Sequence, residues 1–438
     1  MSEAVQGSTT IAKEPPRRSP VAFLQALEVD TRLLGLIVAT AVIWLLFNLA
    51  SDGLFLTPRN LWNLSVQSSA VAIMATGMVL VIVSRNIDLS IGSTLGFTGM
   101  FMAMIQAEWI PKALGLGFDQ PYTWLIALAG GITAGALIGL LQGFIIAYIG
   151  VPSFIVTLGG LLVWRGFAFQ FSQGQTIAPM DGIFQLLGGG PKGSLGETLS
   201  WVVAGIAIVA IIYSLWASRR RRRRYGFPTR PMWADVLLGV LGCAVTLGAV
   251  WIANSYPWPE SLAQQYAQEN NITVPPGGLI IPTGIANPVL IAIGATVVMT
   301  FLATRRRFGR YVYSIGGNPD AAELAGINTK RTIMGTFVIM GMLAAVSAAV
   351  LSARLNAATV GTGTQSELYV IAAAVIGGTS FAGGIGTIPG AVLGAVFMQS
   401  LQSGMVLLKV DSPVQDIVVG IVLVAAVGLD TVVRRRAK

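Results

Sequence analysis

The side chains that most often carry out chemistry are nearly absent from this sequence. It holds no histidine and a single cysteine, Cys243, which removes the commonest general base, the commonest metal ligand and any disulfide within the chain. Cys243 lies in an apolar run and reads as a small core residue. No Gly-x-x-x-x-Gly-Lys-Ser/Thr phosphate loop occurs, so no ATP-hydrolysing site of that kind is expected. No catalytic residue, metal or cofactor is expected either. What remains is hydrogen bonding, concentrated in two polar interruptions of apolar runs. The first is Ser84-Arg85-Asn86-Ile87-Asp88-Leu89-Ser90, followed by Ile91-Gly92-Ser93. The second, residues 377–390, holds six glycines in fourteen positions together with Thr379 and Ser380. Irregular backbone at membrane depth is tolerated only where it is buried in protein or lines a cavity. Asp88, Ser90, Ser93, Thr379 and Ser380 are therefore the candidate lining of a solute path. A plainer reading stands beside it. Asp88 then belongs to a turn, partnered by Arg85 or a helix N-terminus, and the glycines serve close helix packing.

The elements that must position these groups follow from composition. The chain is 54% hydrophobic and only 11% charged, against about 25% charged residues in an ordinary soluble domain. It reads as an all-α polytopic membrane protein. Apolar segments near the ~17–25 residues needed to cross a bilayer recur at 33–50, 61–83, 91–107, 123–149, 153–171, 199–217, 232–252, 288–304, 333–351, 368–378, 388–408 and 414–429. Residues 368–378 are too few to cross unaided, so ten to twelve membrane-spanning helices are expected. Ile91-Gly92-Ser93-x-x-Gly96 is similar to Ile385-Gly386-Thr387-x-x-Gly390, and paired interruptions of this kind mark internal repeats with broken helices around a substrate path.

The net charge of +9 gathers in a few places: Arg17 and Arg18, residues 219–224, residues 305–310 and the C-terminus. Residues 254–287 carry Glu260 and Glu269 and no Lys or Arg. The positive-inside rule puts the arginine-rich loops, 218–231 and 305–332, in the cytoplasm and loop 254–287 outside. Residues 1–32 read as a disordered cytoplasmic tail without the apolar core of a cleavable signal, 33–430 as one transmembrane domain, and 431–438 as a second cytoplasmic tail. Between spans, the arginine run is a topology determinant that also meets lipid headgroups, and no nucleic-acid partner is expected.

Loop 305–332 encodes a short helix of its own. Asn318 is a good N-cap, Pro319 suits the first helical position, and Asp320 puts negative charge in the first turn. Gly326 suits a left-handed stop. The helix expected over 319–325 is about 10 Å long at ~1.5 Å per residue. So short a helix is marginal alone and needs a surface to dock on, either the membrane face of its own protein or a partner.

Gly316-Gly317-Asn318-Pro319-Asp320-Ala321-Ala322-Glu323-Leu324-Ala325-Gly326-Ile327 resembles the coupling-helix loop of the membrane permeases of ABC sugar importers. Ile87-Asp88-Leu89-Ser90-Ile91-Gly92-Ser93, Val151-Pro152-Ser153-Phe154-Ile155-Val156-Thr157-Leu158 and Gly377-Gly378-Thr379-Ser380-Phe381-Ala382-Gly383-Gly384-Ile385-Gly386 extend the resemblance over most of 60–430. The long middle region is most similar to the xylose type within the ribose, arabinose and xylose group. The resemblance implies a multi-pass protein of the bacterial plasma membrane that moves a monosaccharide inward, D-xylose or a related pentose. It implies a cytoplasmic ABC ATPase subunit docked on Gly316, Gly317, Asn318, Pro319, Asp320, Glu323, Gly326 and Ile327. It also implies an extracytoplasmic sugar-binding protein, which selects the sugar, and a permease without a high-affinity sugar site. A permease homodimer in the lipid bilayer is the expected assembly, and loop 254–287 is the expected contact for the loaded binding protein. Two alternatives remain open. One is an ABC permease for ribose, galactose or a branched-chain amino acid. The other is an ion-coupled secondary transporter, which needs ionisable groups within the bilayer. Here Asp235, Asp416 and Asp430 fall at segment ends and Arg165 is the one deep charge.

Overall fold

The computed structural model describes residues 27–28, 30–276 and 278–437. Arg17, Arg18 and most of the expected N-terminal tail lie outside the described residues; at its end Glu28 is held by ion pairs and Thr31 already begins a helix. Long apolar segments become helices because a helix satisfies its backbone within the segment, which lipid cannot do. In chain order these are α1 (Thr31–Ala50), α2 (Pro58–Val83), α3 (Ile91–Met104), α4 (Thr123–Phe144), α5 (Ser153–Ser172), α6 (Gly196–Arg224) and α7 (Met232–Asn254). A short α8 (Glu260–Glu269) precedes α9 (Asn287–Arg305), α10 (Arg307–Gly317), α11 (Pro319–Leu324), α12 (Thr329–Leu355), α13 (Ser366–Ile376), α14 (Ile388–Leu407) and α15 (Ser412–Ala437). Among the described residues nine helices are long and apolar enough to cross a membrane, α1, α2, α5, α6, α7, α9, α12, α14 and α4 with its extension to Ile149. The chain is thus an all-α, multi-pass membrane protein. Helix α3 continues in wider π turns to Ala113, and α13, at 11 residues, spans only about 16 Å.

The chain packs as two compact units. One unit takes residues 204–247 with the described residues before Arg32. There Gly242 of α7 faces Ile211 of α6, Gly239 faces Leu215, and Arg219 pairs with Asp235 at 2.5 Å. Glu28 binds Arg222 at 2.7 Å and Arg230 at 3.0 Å in the same unit.

The other unit, Arg32–Val203 and Gly248–Lys438, is built around α2. Helices α9, α12, α13 and α14 pack against it. Thr57 caps its start, with Pro58 leading the first turn. From Ala75 to Val83 every side chain is buried. Helices α4 and α12 cross closely because Gly135 and Gly139 offer no side chain where the carbonyls of Gly341 and Phe337 approach.

Three segments carry more helix than expected. Loop 305–332 holds α10 ahead of the short helix, because Phe308, Val312 and Ile315 recur along one face and bury it. Loop 254–287 contains α8, folded over itself: Trp258 N–H donates to the Ile281 carbonyl at 2.9 Å, and Trp62 Nε1–H to the Gly284 carbonyl at 2.9 Å. The expected tail from 431 is a continuation of α15, since no glycine or proline intervenes to stop it.

Candidate functional site

The short helix forms where capping chemistry puts it. The Asn318 side chain accepts from Ala321 N–H at 3.1 Å, and Pro319 leads the first turn. At the other end Gly326 adopts φ +80°, which lets Ile327 N–H reach the Ala322 carbonyl at 3.0 Å. Ala322 is the side chain the helix buries; Asp320 and Glu323 are exposed, and Leu324 is 90% exposed. Nothing in the sequence singles out Leu324; only its outward direction marks it, since a leucine in α11 would otherwise read as the buried residue. Gly316 is buried at the end of α10, while Gly317 is exposed and Ile327 half-buried.

Behind this platform lie both polar interruptions. Arg85 does not pair with Asp88. Its Nε donates to the Gly316 carbonyl and its Nη2 to the Gly317 carbonyl, each at 2.8 Å. Gly384 N–H donates to the Val83 carbonyl at 3.0 Å, and the Tyr313 hydroxyl to the Gly386 carbonyl at 2.7 Å. A side chain at Gly316 would collide with the Val83 carbonyl and the Gly384 amide. Asp88 instead closes a turn just ahead of α3, accepting from Ser90 N–H at 2.8 Å and Ser90 Oγ at 2.6 Å, while Gln142 Nε2 donates to Ser90 Oγ at 2.9 Å. The Ser93 hydroxyl donates to the Ser90 carbonyl at 2.8 Å. Thr379 and Ser380 are buried in the α13–α14 turn, where Ala382 N–H donates to Ser380 Oγ at 3.1 Å and the Thr379 hydroxyl has no partner among the described residues. These five side chains are therefore packed, and the structure does not gather them around an open space. Arg165, the deep charge, donates to Thr364 Oγ1 at 2.5 Å.

A polar open space lies at the other end of α2, which is 26 residues and so about 39 Å long. A cavity of about 450 Å³ is lined by Asn60, Asn63 and Gln67 of α2, Arg354 of α12, and Gln399 and Gln402 of α14, with no acidic residue on its wall. Its volume falls in the ~300–1,000 Å³ range of small-molecule sites. Amide side chains donate and accept, which matches hydroxyl groups that do both. The signal was present in the sequence: 60, 63 and 67 lie at helical spacing on one polar stripe of an apolar helix, as do 399 and 402.

A family described as branched-chain amino acid transport system / permease component matches residues 60–427. The chain is 36% identical over 405 residues to the xylose transport system permease protein of Haemophilus influenzae, covering 92% of this chain and 97% of that one. It is 30% identical over 376 residues to the ribose import permease protein of Escherichia coli K12, 86% and 87% of the two chains, and 27% identical over 401 residues to the D-allose transport system permease protein of the same strain, 92% of each. The chain belongs to this family of ABC transporter permeases. No solved structure matches it. Its sugar-permease relatives are transport components rather than enzymes.

Proposed function

We propose that this chain is the membrane subunit of an importer that carries a monosaccharide, D-xylose or a related pentose, into the cell, with energy from a separate ATPase docked on α11. The observation that carries the reading is the platform itself. Helix α11 is capped at both ends, pinned from behind, and presents Glu323 and the 90%-exposed Leu324 outward. An apolar side chain so exposed beside a charge, on a rigid element, is a partner contact. In this arrangement the arginine-rich ends 218–231 and 305–332, with both termini, face the cytoplasm. Loop 254–287 faces outward and meets the sugar-loaded binding protein, and two permeases pair in the membrane. The cavity near Asn63, Gln67 and Arg354 is the outer vestibule. Asp88, Ser90, Ser93, Thr379 and Ser380 form the closed inner gate, and Gly316, Gly317, Asn318, Pro319, Asp320, Glu323, Gly326 and Ile327 form the ATPase-coupling loop.

Affinity purification tests the docking: Glu323→Arg and Leu324→Asp insert at normal levels, lose the co-purifying ATPase and lose sugar uptake. An ATPase that stays bound to both variants refutes α11 as the contact. Uptake persisting with a protonophore and stopping on ATP depletion separates this reading from ion-coupled transport. Competition among D-xylose, D-ribose and D-allose names the sugar; preference for ribose or allose moves the cargo within the same mechanism.

A further inference from the structure

We infer that Arg85 is a positioning residue that ties the ATPase contact to both interruptions of the transport helices, an inference resting on the reading of α11 as that contact. A helix ends with carbonyls that have no partner inside it. At the end of α10 these are the carbonyls of Gly316 and Gly317, and the Arg85 guanidinium takes both, Nε to one and Nη2 to the other, at 2.8 Å each. A planar fork of donors suits two adjacent acceptors, and a cation at a helix C-terminus also meets the dipole with the right sign.

The backbone of the same residue ends α2. Arg85 N–H donates to the Ile82 carbonyl at 2.9 Å, and Asn86 N–H to the Val81 carbonyl at 3.0 Å. Arg85 sits at φ +64°, the left-handed region that non-glycine residues seldom adopt. One residue thus terminates two helices that lie 231 positions apart in sequence. The α13–α14 turn closes the knot: Gly384 N–H reaches the Val83 carbonyl, and the Tyr313 hydroxyl of α10 reaches the Gly386 carbonyl. Only Asn318 separates α10 from α11. A displacement of α11 is therefore delivered to the end of α2 and the Asp88–Ser90 start of α3 on one side, and to the turn before α14 on the other. A positive charge placed merely to orient the chain in the membrane needs no fork and no second acceptor, so lysine distinguishes the two roles.

The test uses the complete importer in proteoliposomes, permease with its ATPase and binding protein, with D-xylose as the probe and D-ribose where the wild type prefers it. Two quantities are read: sugar moved per ATP hydrolysed, and stimulation of hydrolysis by the loaded binding protein. Arg85→Ala keeps the ATPase attached, lowers the ratio at least tenfold and abolishes the stimulation. Arg85→Lys keeps the charge, loses the fork and lowers the ratio at least threefold. Tyr313→Phe removes one hydrogen bond and lowers it about twofold to threefold. If Arg85→Ala does not insert, the other two variants decide. Wild-type ratios in both Arg85→Lys and Tyr313→Phe overturn the inference, as does loss of ATPase binding in Arg85→Ala, which makes Arg85 part of the dock. Retention of the ATPase by Glu323→Arg and Leu324→Asp overturns the docking reading instead.

Discussion

At Leu324 two energies that usually travel together come apart. Burial normally makes a leucine matter to its own fold, but this one is 90% exposed, so truncating it removes almost no internal contact. We expect Leu324→Ala to leave the unfolding temperature of the detergent-solubilised permease unchanged. The same variant weakens ATPase association about tenfold, the effect of truncating an interface anchor worth ~1–2 kcal/mol. Gly326 and Gly316 behave in the opposite way. Gly326 holds φ +80°, where a β-branched side chain is strained by ~1–3 kcal/mol, so Gly326→Val frays the end of α11 and reduces uptake. Gly316 has backbone of Val83 and Gly384 where its Cβ would stand. Gly316→Ala forces that knot apart, and lower thermal stability together with lower uptake is the expected result.

The extent of the elements is set by what their ends are tied to. Helix α10 exists because Phe308, Val312 and Ile315 have a face to bury and Arg85 to close its last carbonyls. Helices α6 and α7 are held at their arginine-rich connection by Glu28, whose carboxyl is pulled down to about 2, first by the hydrogen bond from Arg222 and then by that from Arg230. A carboxyl lowered in the folded state contributes stability above its unfolded value of about 4.5, and that contribution is lost as pH falls through about 2. Between pH 5 and 8 the contact is therefore constant. Its side chain is 41% exposed, so salt screens it and the effect is local. Glu28→Gln is expected to speed hydrogen exchange of residues 225–230 at neutral pH while leaving global unfolding unmoved; unchanged exchange there makes the ion pairs incidental.

The unit that holds Arg32–Val203 and Gly248–Lys438 is organised along α2, with polar space at one end and a clamp at the other. From Ala75 to Val83 this helix offers water no surface, a plug about 13 Å thick at ~1.5 Å per residue. In a Cys243→Ser background without ATP, Gln67→Cys is expected to react with a membrane-impermeant thiol reagent added outside and Val79→Cys to stay silent. Asp320→Cys should react only from the cytoplasmic side, and outside labelling there would sink the topology. Much of this was legible in the chain. Lipid rejects unpaired backbone, so apolar runs became helices close to their expected bounds, and the ends of α11 followed from Asn318, Pro319 and Gly326 because capping is settled within a few residues. The cavity and the clamp were not legible in this way. Hydropathy separates lipid-facing from inward-facing residues but does not say which inward stripes meet, so the amides at 63, 67, 399 and 402 became one wall only once α2 packed on α14. Arg85 stood three residues from Asp88, the obvious partner, yet bonded 231 positions away. Its left-handed backbone turned the guanidinium toward two carbonyls left open by a helix end, and only the tertiary fold brings such an end within reach.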